Sequence, residues 1–115
     1  MSGTAAHKVH VSLPRLAVGG ATVRQLQDMM KATIRAQHQL AGFRADVLRE
    51  MRRRQGTKHT ETLLQKEGLL PRRKARSEVE TAGELEKLPK TREGLRKGEI
   101  SYDNARILAG ANQRE

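Results

Sequence analysis

The chain of 115 residues contains no cysteine and almost no aromatic residue. The absence of cysteine excludes disulfide bonds and thiolate metal sites, and it is typical of proteins from a reducing compartment. Phe43 and Tyr102 are the only aromatic side chains. Because aromatic residues bury the most area per residue, a core of Leu, Val, Ile, Met and Ala predicts marginal stability or stabilisation by a partner chain or ligand.

Long apolar runs are also absent from the sequence. No stretch approaches the roughly 20 apolar residues that a membrane-spanning helix requires. The N-terminal residues lack the apolar core of a secretory signal. These absences predict a cytoplasmic protein that has no membrane partner.

Positive charge is abundant, with a formal net charge of +10, and it is unevenly distributed. Residues 49–76 hold ten Lys and Arg against three Asp and Glu, whereas residues 77–103 hold five against seven. A concentrated positive charge predicts a polyanionic partner, and nucleic acid is the commonest one. The alternative is a basic surface that only keeps the chain soluble.

The pattern of apolar and helix-breaking residues predicts an all-α protein in three segments. Residues 1–21 carry glycine and proline without a helical period and are expected to form a flexible arm. A long helix is expected over 22–55, beginning with a capping box of Thr22 and Gln25. Residues 56–115 are expected to form a compact helix-turn-helix-like bundle of short helices.

The long helix is expected to bury an apolar stripe that the rest of the chain is too small to cover. Gly42 lies inside this helix and costs about 1 kcal/mol relative to Ala. The stripe is therefore covered in one of two ways, by a fold at Gly42 or by a partner chain, which includes a second copy. The stripe consists of Leu26, Met30, Ile34, Val47 and Leu48.

Shorter helices are expected in the bundle. Thr60 is expected to cap a helix that Gly68 ends, and the next helix is expected over 72–87, ended by Pro89. A short helix over 91–97 is expected to stop at Gly98. The last helix is expected to begin after Ser101 as its cap, with Asp103 in its first turn.

The helix expected at 72–87 would be the recognition helix of the helix-turn-helix. Its first turns are basic and its later turns acidic, which is opposite to the order that the helix dipole favours by about 0.3–1 kcal/mol per charge. Cations beside outward-pointing amides suit phosphate oxygens. The predicted nucleic-acid contacts are Arg72, Arg73, Lys74 and Arg76, with Arg52, Arg53 and Arg54 beside them.

The stretch LPKTREGLRKGEISYDNARIL resembles part of the bacterial domain of unknown function 222, which often precedes an HNH endonuclease domain. The resemblance extends over about residues 22–111, is specific in the last third and loose before it, and implies a nucleic-acid-binding module without the nuclease part. A weaker similarity links the segment to the DNA-binding domain of ParB-type chromosome-partition proteins. The residues at the family's positions are Leu88, Pro89, Leu95, Gly98, Ile100, Ser101, Ala105, Arg106 and Ile107.

The sequence departs from that family at three places. The serine cap that the family usually has near Pro71 is missing, and the usual histidine is replaced around Asp103. The sequence ends at Glu115, where family members usually continue into the nuclease. Arg106 is expected either to bind a phosphate or to form a salt bridge.

No catalytic, metal-binding or cofactor motif is recognisable, so a non-enzymatic protein without cofactors is expected. An HNH site needs clustered ligands around a general-base histidine, and no such cluster is present. His7 and His10 lie on the expected arm, and His38 and His59 are expected to face solvent. The alternatives to DNA binding are a helical interaction or dimerisation module and a truncated nuclease fragment.

Overall fold

The computed structural model describes residues 17–111, and within them it shows five α-helices, two short 3₁₀ turns and no strand. The predicted all-α fold, with one long helix followed by shorter ones, is confirmed. The predicted arm lies outside the described residues up to residue 16. The elements are a 3₁₀ turn Val18–Gly20, α1 Val23–Gln55, α2 Thr57–Gly68, α3 Arg72–Glu84, a 3₁₀ turn Leu85–Lys87, α4 Pro89–Arg96 and α5 Tyr102–Gly110.

Helix α1 begins as the sequence predicts. The Thr22 hydroxyl accepts a hydrogen bond from the Gln25 amide, and the Gln25 side chain accepts one from the Thr22 amide. The helix then continues through Gly42 to Gln55, so it does not fold back at the glycine. A Cβ at Gly42 would lie 3.2 Å from the Arg96 Cα. The glycine is therefore explained by the close approach of the α4 backbone.

The shorter helices and the C-terminal half of α1 enclose the core. Helix α1 contacts the other four helices, and α3 contacts α2 and α5 as well. The bundle is too small to cover the first three turns of α1. The buried core residues are Ala45, Leu48, Val79, Ala82, Leu85, Leu88, Leu95, Ala105 and Ala109.

Only one residue of the predicted apolar stripe on α1 is buried by the chain itself. Leu48 is 5% exposed, whereas Leu26, Met30, Ile34 and Val47 are 38–55% exposed. The fold-back that would have covered them does not occur. Their burial against a partner chain stays a prediction.

Helix α2 differs from its predicted start and end. It begins at Thr57 after Gly56, so Thr60 lies one turn inside the helix, where it is fully buried and donates a hydrogen bond to the Gly56 carbonyl. The residue with left-handed backbone at its end is Leu69, with φ of 52°, and not Gly68. Such a φ is uncommon for a residue with a side chain.

The helices after α3 end and begin at signals that the sequence contains, with two corrections. The predicted helix over 72–87 is α3 followed by a 3₁₀ turn, and Pro89 starts α4 at its first position. Gly98 has a φ of 75° and ends α4 in a Schellman motif. The Gly98 amide donates a hydrogen bond to the Leu95 carbonyl, and the Glu99 amide donates one to the Gly94 carbonyl.

Helix α5 then starts as predicted, because the Ser101 hydroxyl accepts a hydrogen bond from the Asn104 amide. Its buried residues Ala105 and Ala109 join the core beside α3. None of the helices within residues 17–111 combines the length and hydropathy needed to span a bilayer.

Candidate nucleic-acid interface

The first turn of α3 carries three consecutive cations that have no carboxylate partner among the described residues. Arg72, Arg73 and Lys74 are exposed, and no ion pair involves them. Pro71 occupies the N-cap and no side chain bonds the first amides of the helix. Positive side chains and uncapped amides together form a local environment that favours an anion.

Arg76 belongs to the same helix but is not free. Its Nε lies 3.1 Å from Oε1 of Glu80, one turn further along α3. Exposed pairs at this spacing contribute about 0.3–0.5 kcal/mol. A phosphate can therefore compete for Arg76, but Arg76 contributes less readily than the three unpaired cations.

Two of the cations at the end of α1, Arg53 and Arg54, are paired. Both donate hydrogen bonds to Glu50, and the Arg54 Nε lies 2.7 Å from Oε2 of Glu50. These hydrogen bonds lower the pKa of Glu50 from 4.5 to about 2. The carboxylate is therefore ionised throughout the neutral range and reduces the positive charge at this end of α1.

Arg52 lies beside the other end of α3. Its guanidinium rests against Gly83, where a Cβ would collide with it, and its Nε donates to the Thr57 hydroxyl at 2.8 Å. Gly83 is eleven residues from Arg72, which corresponds to about 16 Å along a helix. The structure thus does not place Arg52, Arg53 and Arg54 beside the first turn of α3, because the last turn of α1 lies beside the opposite end of α3.

A groove between α1, α3 and α5 lies beside the first turn of α3. It has a volume of about 720 Å³. Two of the unpaired cations, Arg73 and Lys74, line it. We call it the α3 groove and define it by the residues Arg44, Arg73, Lys74, Glu78, Tyr102 and Arg106.

Glu78 is the most unusual residue of the α3 groove. It is 8% exposed, and its Oε1 accepts a hydrogen bond from Arg44 at 2.7 Å. Its Oε2 is buried without a hydrogen-bond partner. Glu78 is not among the residues predicted from the sequence, although its spacing from Ala75 and Ala82 places it on the buried face of α3.

His38 and Tyr102 also line the α3 groove. The Tyr102 amide donates a hydrogen bond to Nδ1 of His38 at 3.3 Å, and His38 is partly buried. The prediction that His38 faces solvent is therefore wrong, because this ring supplies an acceptor to the start of α5. His59 is exposed as predicted.

The Tyr102 side chain is partly buried. Burial, and then the negative charge of Glu78, raise the pKa of Tyr102 above its ordinary value. The ring is therefore neutral at physiological pH and offers the groove an aromatic surface.

The remaining candidate residues of the sequence are the other histidines and Arg106. No group of three or more His, Asp or Glu side chains within residues 17–111 could hold a metal ion. His7 and His10 lie outside these residues. Arg106 has Asp103 at 4.0 Å, which is a long salt bridge, so both roles predicted for Arg106 stay open.

The chain matches no protein-family model, no curated protein and no solved structure. The resemblance to the domain of unknown function 222 therefore stays a prediction.

Proposed function

We propose that the protein is a non-catalytic module that binds nucleic acid, duplex DNA above all, through the first turn of α3. The observation that carries this proposal is the set of exposed cations without an ion-pair partner in the described structure, Arg72, Arg73 and Lys74. Elsewhere in the bundle most cations have a carboxylate within 4 Å. A cation that no carboxylate neutralises is available to a phosphate.

The position of these cations supports the same proposal. At the N-terminus of a helix they oppose the helix dipole, which destabilises the helix unless an anion binds there. The amides of the same turn point outward and donate to phosphate oxygens in anion sites of this kind. Three residues connect α2 to α3. This arrangement has the proportions of a helix-turn-helix.

The test is a titration of fluorescent duplex DNA at several salt concentrations. The salt slope is the slope of the logarithm of the binding constant plotted against the logarithm of the salt concentration. If about five phosphates are neutralised, the salt slope should be about −4 to −5. The variant Arg72→Ala, Arg73→Ala, Lys74→Ala should reduce the slope to about −2.

The matched control removes three other exposed cations that have no ion pair among the described residues, Arg24, Lys31 and Lys90. This control variant has the same net charge as the triple variant. If the contact is local, its salt slope should nevertheless stay within about half a unit of that of the original chain. An equal loss in both variants would show that overall charge, and not the first turn of α3, drives binding.

A helical interaction module is the second candidate function. The first turns of α1 expose Leu26, Met30 and Ile34 in a continuous stripe that no other described element covers. A second copy or a partner helix could bury it by the packing typical of paired helices. Sedimentation should then show self-association that Met30→Glu abolishes, and a monomer at all concentrations would contradict the homodimer.

A further inference from the structure

The α3 groove combines positive charge with a buried acceptor that has no donor. Arg44, Arg73, Lys74 and Arg106 face two carboxylates, Glu78 and Asp103, so the lining has a net charge of +2 when His38 is neutral. A phosphate monoester carries a charge of about −1.5 to −2 at pH 7. The charge of the groove therefore matches one terminal phosphate.

A buried carboxylate oxygen without a donor needs an explanation beyond phosphate binding. Oε2 of Glu78 has no hydrogen-bond partner among the described residues, although the residue is more than nine-tenths buried and lines the groove. The oxygens of a fully ionised phosphate only accept hydrogen bonds, so they cannot satisfy it. A ligand that fits the whole groove must carry a hydrogen-bond donor as well as an anion.

The backbone of duplex DNA lacks such a donor. Its phosphates and sugar oxygens accept, and the amino groups of its bases are committed to pairing or lie in the grooves. A nucleotide outside a duplex instead exposes base amino groups and sugar hydroxyls. Glu78 therefore suits a nucleotide that is free or unpaired.

The Arg44–Glu78 pair offers a way to open the site. The Arg44 side chain is 56% exposed, whereas that of Glu78 is 10% exposed. Arg44 can therefore turn towards a bound phosphate without leaving solvent, and Oε1 of Glu78 is then released beside Oε2. The ligand would therefore replace the Arg44–Glu78 ion pair by two contacts. Arg44 would contact its phosphate, and Glu78 would accept a hydrogen bond from its donor group.

Two ring systems complete the groove. Tyr102 supplies an aromatic surface, on which any base can stack. Because Nδ1 of His38 accepts from the Tyr102 amide, the neutral imidazole carries its proton on Nε2. A volume of about 720 Å³ is also in the range of small-molecule sites.

We propose that the α3 groove binds a nucleoside phosphate. A hydroxyl or amino group of the nucleoside donates to Glu78, and the base lies against Tyr102. The phosphate is held by Arg44, Arg73, Lys74 and Arg106. The proposal goes beyond duplex binding, although it shares Arg73 and Lys74 with the proposed duplex interface. The nucleotide is either free in solution or the 5′-phosphorylated end of an unpaired strand.

The test uses the full chain and follows the aromatic proton signals of Tyr102 by nuclear magnetic resonance. Tyr102 is the single tyrosine of the sequence and there is no tryptophan, so its signals are easily assigned. Adenosine 5′-monophosphate should shift them in a saturable way. Adenosine alone and inorganic phosphate alone should bind at least tenfold more weakly, because each lacks one of the two matched groups.

Variants separate this site from the duplex interface. Glu78→Gln should weaken adenosine monophosphate at least tenfold and should not reduce the salt slope for duplex DNA, because it removes no cation. Arg72→Ala, which lies outside the groove lining, should do the reverse. If Glu78→Gln fails to fold, Arg106→Ala provides the same test from an exposed position and should weaken the nucleotide several-fold.

The source of the nucleotide is distinguished by a single strand of DNA with and without a 5′ phosphate. Binding of the phosphorylated strand at least tenfold more tightly than both the unphosphorylated strand and adenosine monophosphate indicates a strand end. Equal binding of the two strands, with saturable binding of adenosine monophosphate, indicates a free nucleotide. Unchanged Tyr102 signals at 10 mM nucleotide and with both strands would overturn the proposal. Equal affinity of Glu78→Gln and the original chain would overturn the assigned role of Glu78.

Discussion

Two runs of three consecutive cations differ in the structure although they look alike in the sequence. At the end of α1, Arg53 and Arg54 bond Glu50, and Arg52 lies against Gly83. At the start of α3, the run 72–74 has no ion pair among the described residues. An equal density of positive charge in the sequence therefore does not mean that the cations are equally available, because Glu50 neutralises part of the first run and no carboxylate pairs with the second.

The difference follows from where each run lies on its helix. Cations in the last turn of α1 complement the helix dipole, and Glu50 is one turn before them, at the spacing that favours pairing. Cations in the first turn of α3 oppose the dipole, and the nearest acidic residue along the helix, Glu78, bonds Arg44 instead. The first run stabilises its helix, whereas the second leaves its charge available.

The largest expected effect comes from removing each run separately. Replacing residues 72–74 by alanine should reduce the salt slope of DNA binding by two to three units, at about one unit per phosphate contact. Replacing residues 52–54 by alanine should change it by less than about one unit. Titration of the same duplex at matched salt concentrations compares the two, and an equal loss would remove the distinction between them.

A smaller effect is expected from releasing the paired run. Glu50→Gln removes the carboxylate that holds Arg53 and Arg54, so both become available and the salt slope should steepen by up to about one unit. Glu61→Gln on α2 is the matched control, because Glu61 has no ion pair within the described residues. If both variants change the slope equally, the gain reflects net charge alone.

Acidification to moderate pH should not reproduce the Glu50 effect. The pKa of Glu50 in the fold, about 2, lies below its ordinary value of 4.5, so the pairing is complete above about pH 4.5 and is lost as the pH falls through about 2. DNA binding should therefore show no step from Glu50 between pH 5 and 8. Titration of the carboxyl carbon by nuclear magnetic resonance measures this pKa, and a value near 4.5 would show that the pairing is absent in solution.

Features that depend on neighbouring residues can be predicted from the sequence, whereas contacts between distant residues cannot. The ion pairs of Glu50 with Arg53 and Arg54 join residues within about one helical turn. The caps at Thr22 and Ser101 and the turn at Gly98 are equally local. These features can be predicted from helix geometry. The long helix and the all-α fold were predicted on the same basis.

Contacts between distant residues could not be predicted in this way. The position of Arg52 against Gly83, the bond from the Tyr102 amide to His38 and the burial of Glu78 each depend on how α1, α3 and α5 pack. Several packings bury the same apolar residues, so the apolar pattern alone does not choose among them. The groove beside α3 was missed for this reason.

A stability effect of about 0.5–1 kcal/mol is expected at the turn that presents the unpaired run. Leu69 has left-handed backbone and is 89% exposed, so its side chain gains nothing from burial. Leu69→Gly should relieve backbone strain of about 1–2 kcal/mol. The greater freedom of glycine in the unfolded chain opposes this gain by about 0.5–1 kcal/mol. Urea denaturation should show the gain, and destabilisation would contradict the strained turn. Weaker DNA binding in the stabilised variant would place Leu69 in the interface.

The smallest expected effect tests whether Arg52 really lies on Gly83. Gly83→Ala gains up to about 1 kcal/mol from helix propensity, but the new methyl displaces the guanidinium and breaks its hydrogen bond to Thr57, worth about 0.5–1.5 kcal/mol. The two terms oppose each other, so the free energy of unfolding should stay nearly constant. In an Arg52→Ala background nothing is displaced, and Gly83→Ala should stabilise the fold by up to the full 1 kcal/mol or so. Identical effects in the two backgrounds would show that Arg52 is free in solution, and the run at the end of α1 would then resemble the run at the start of α3.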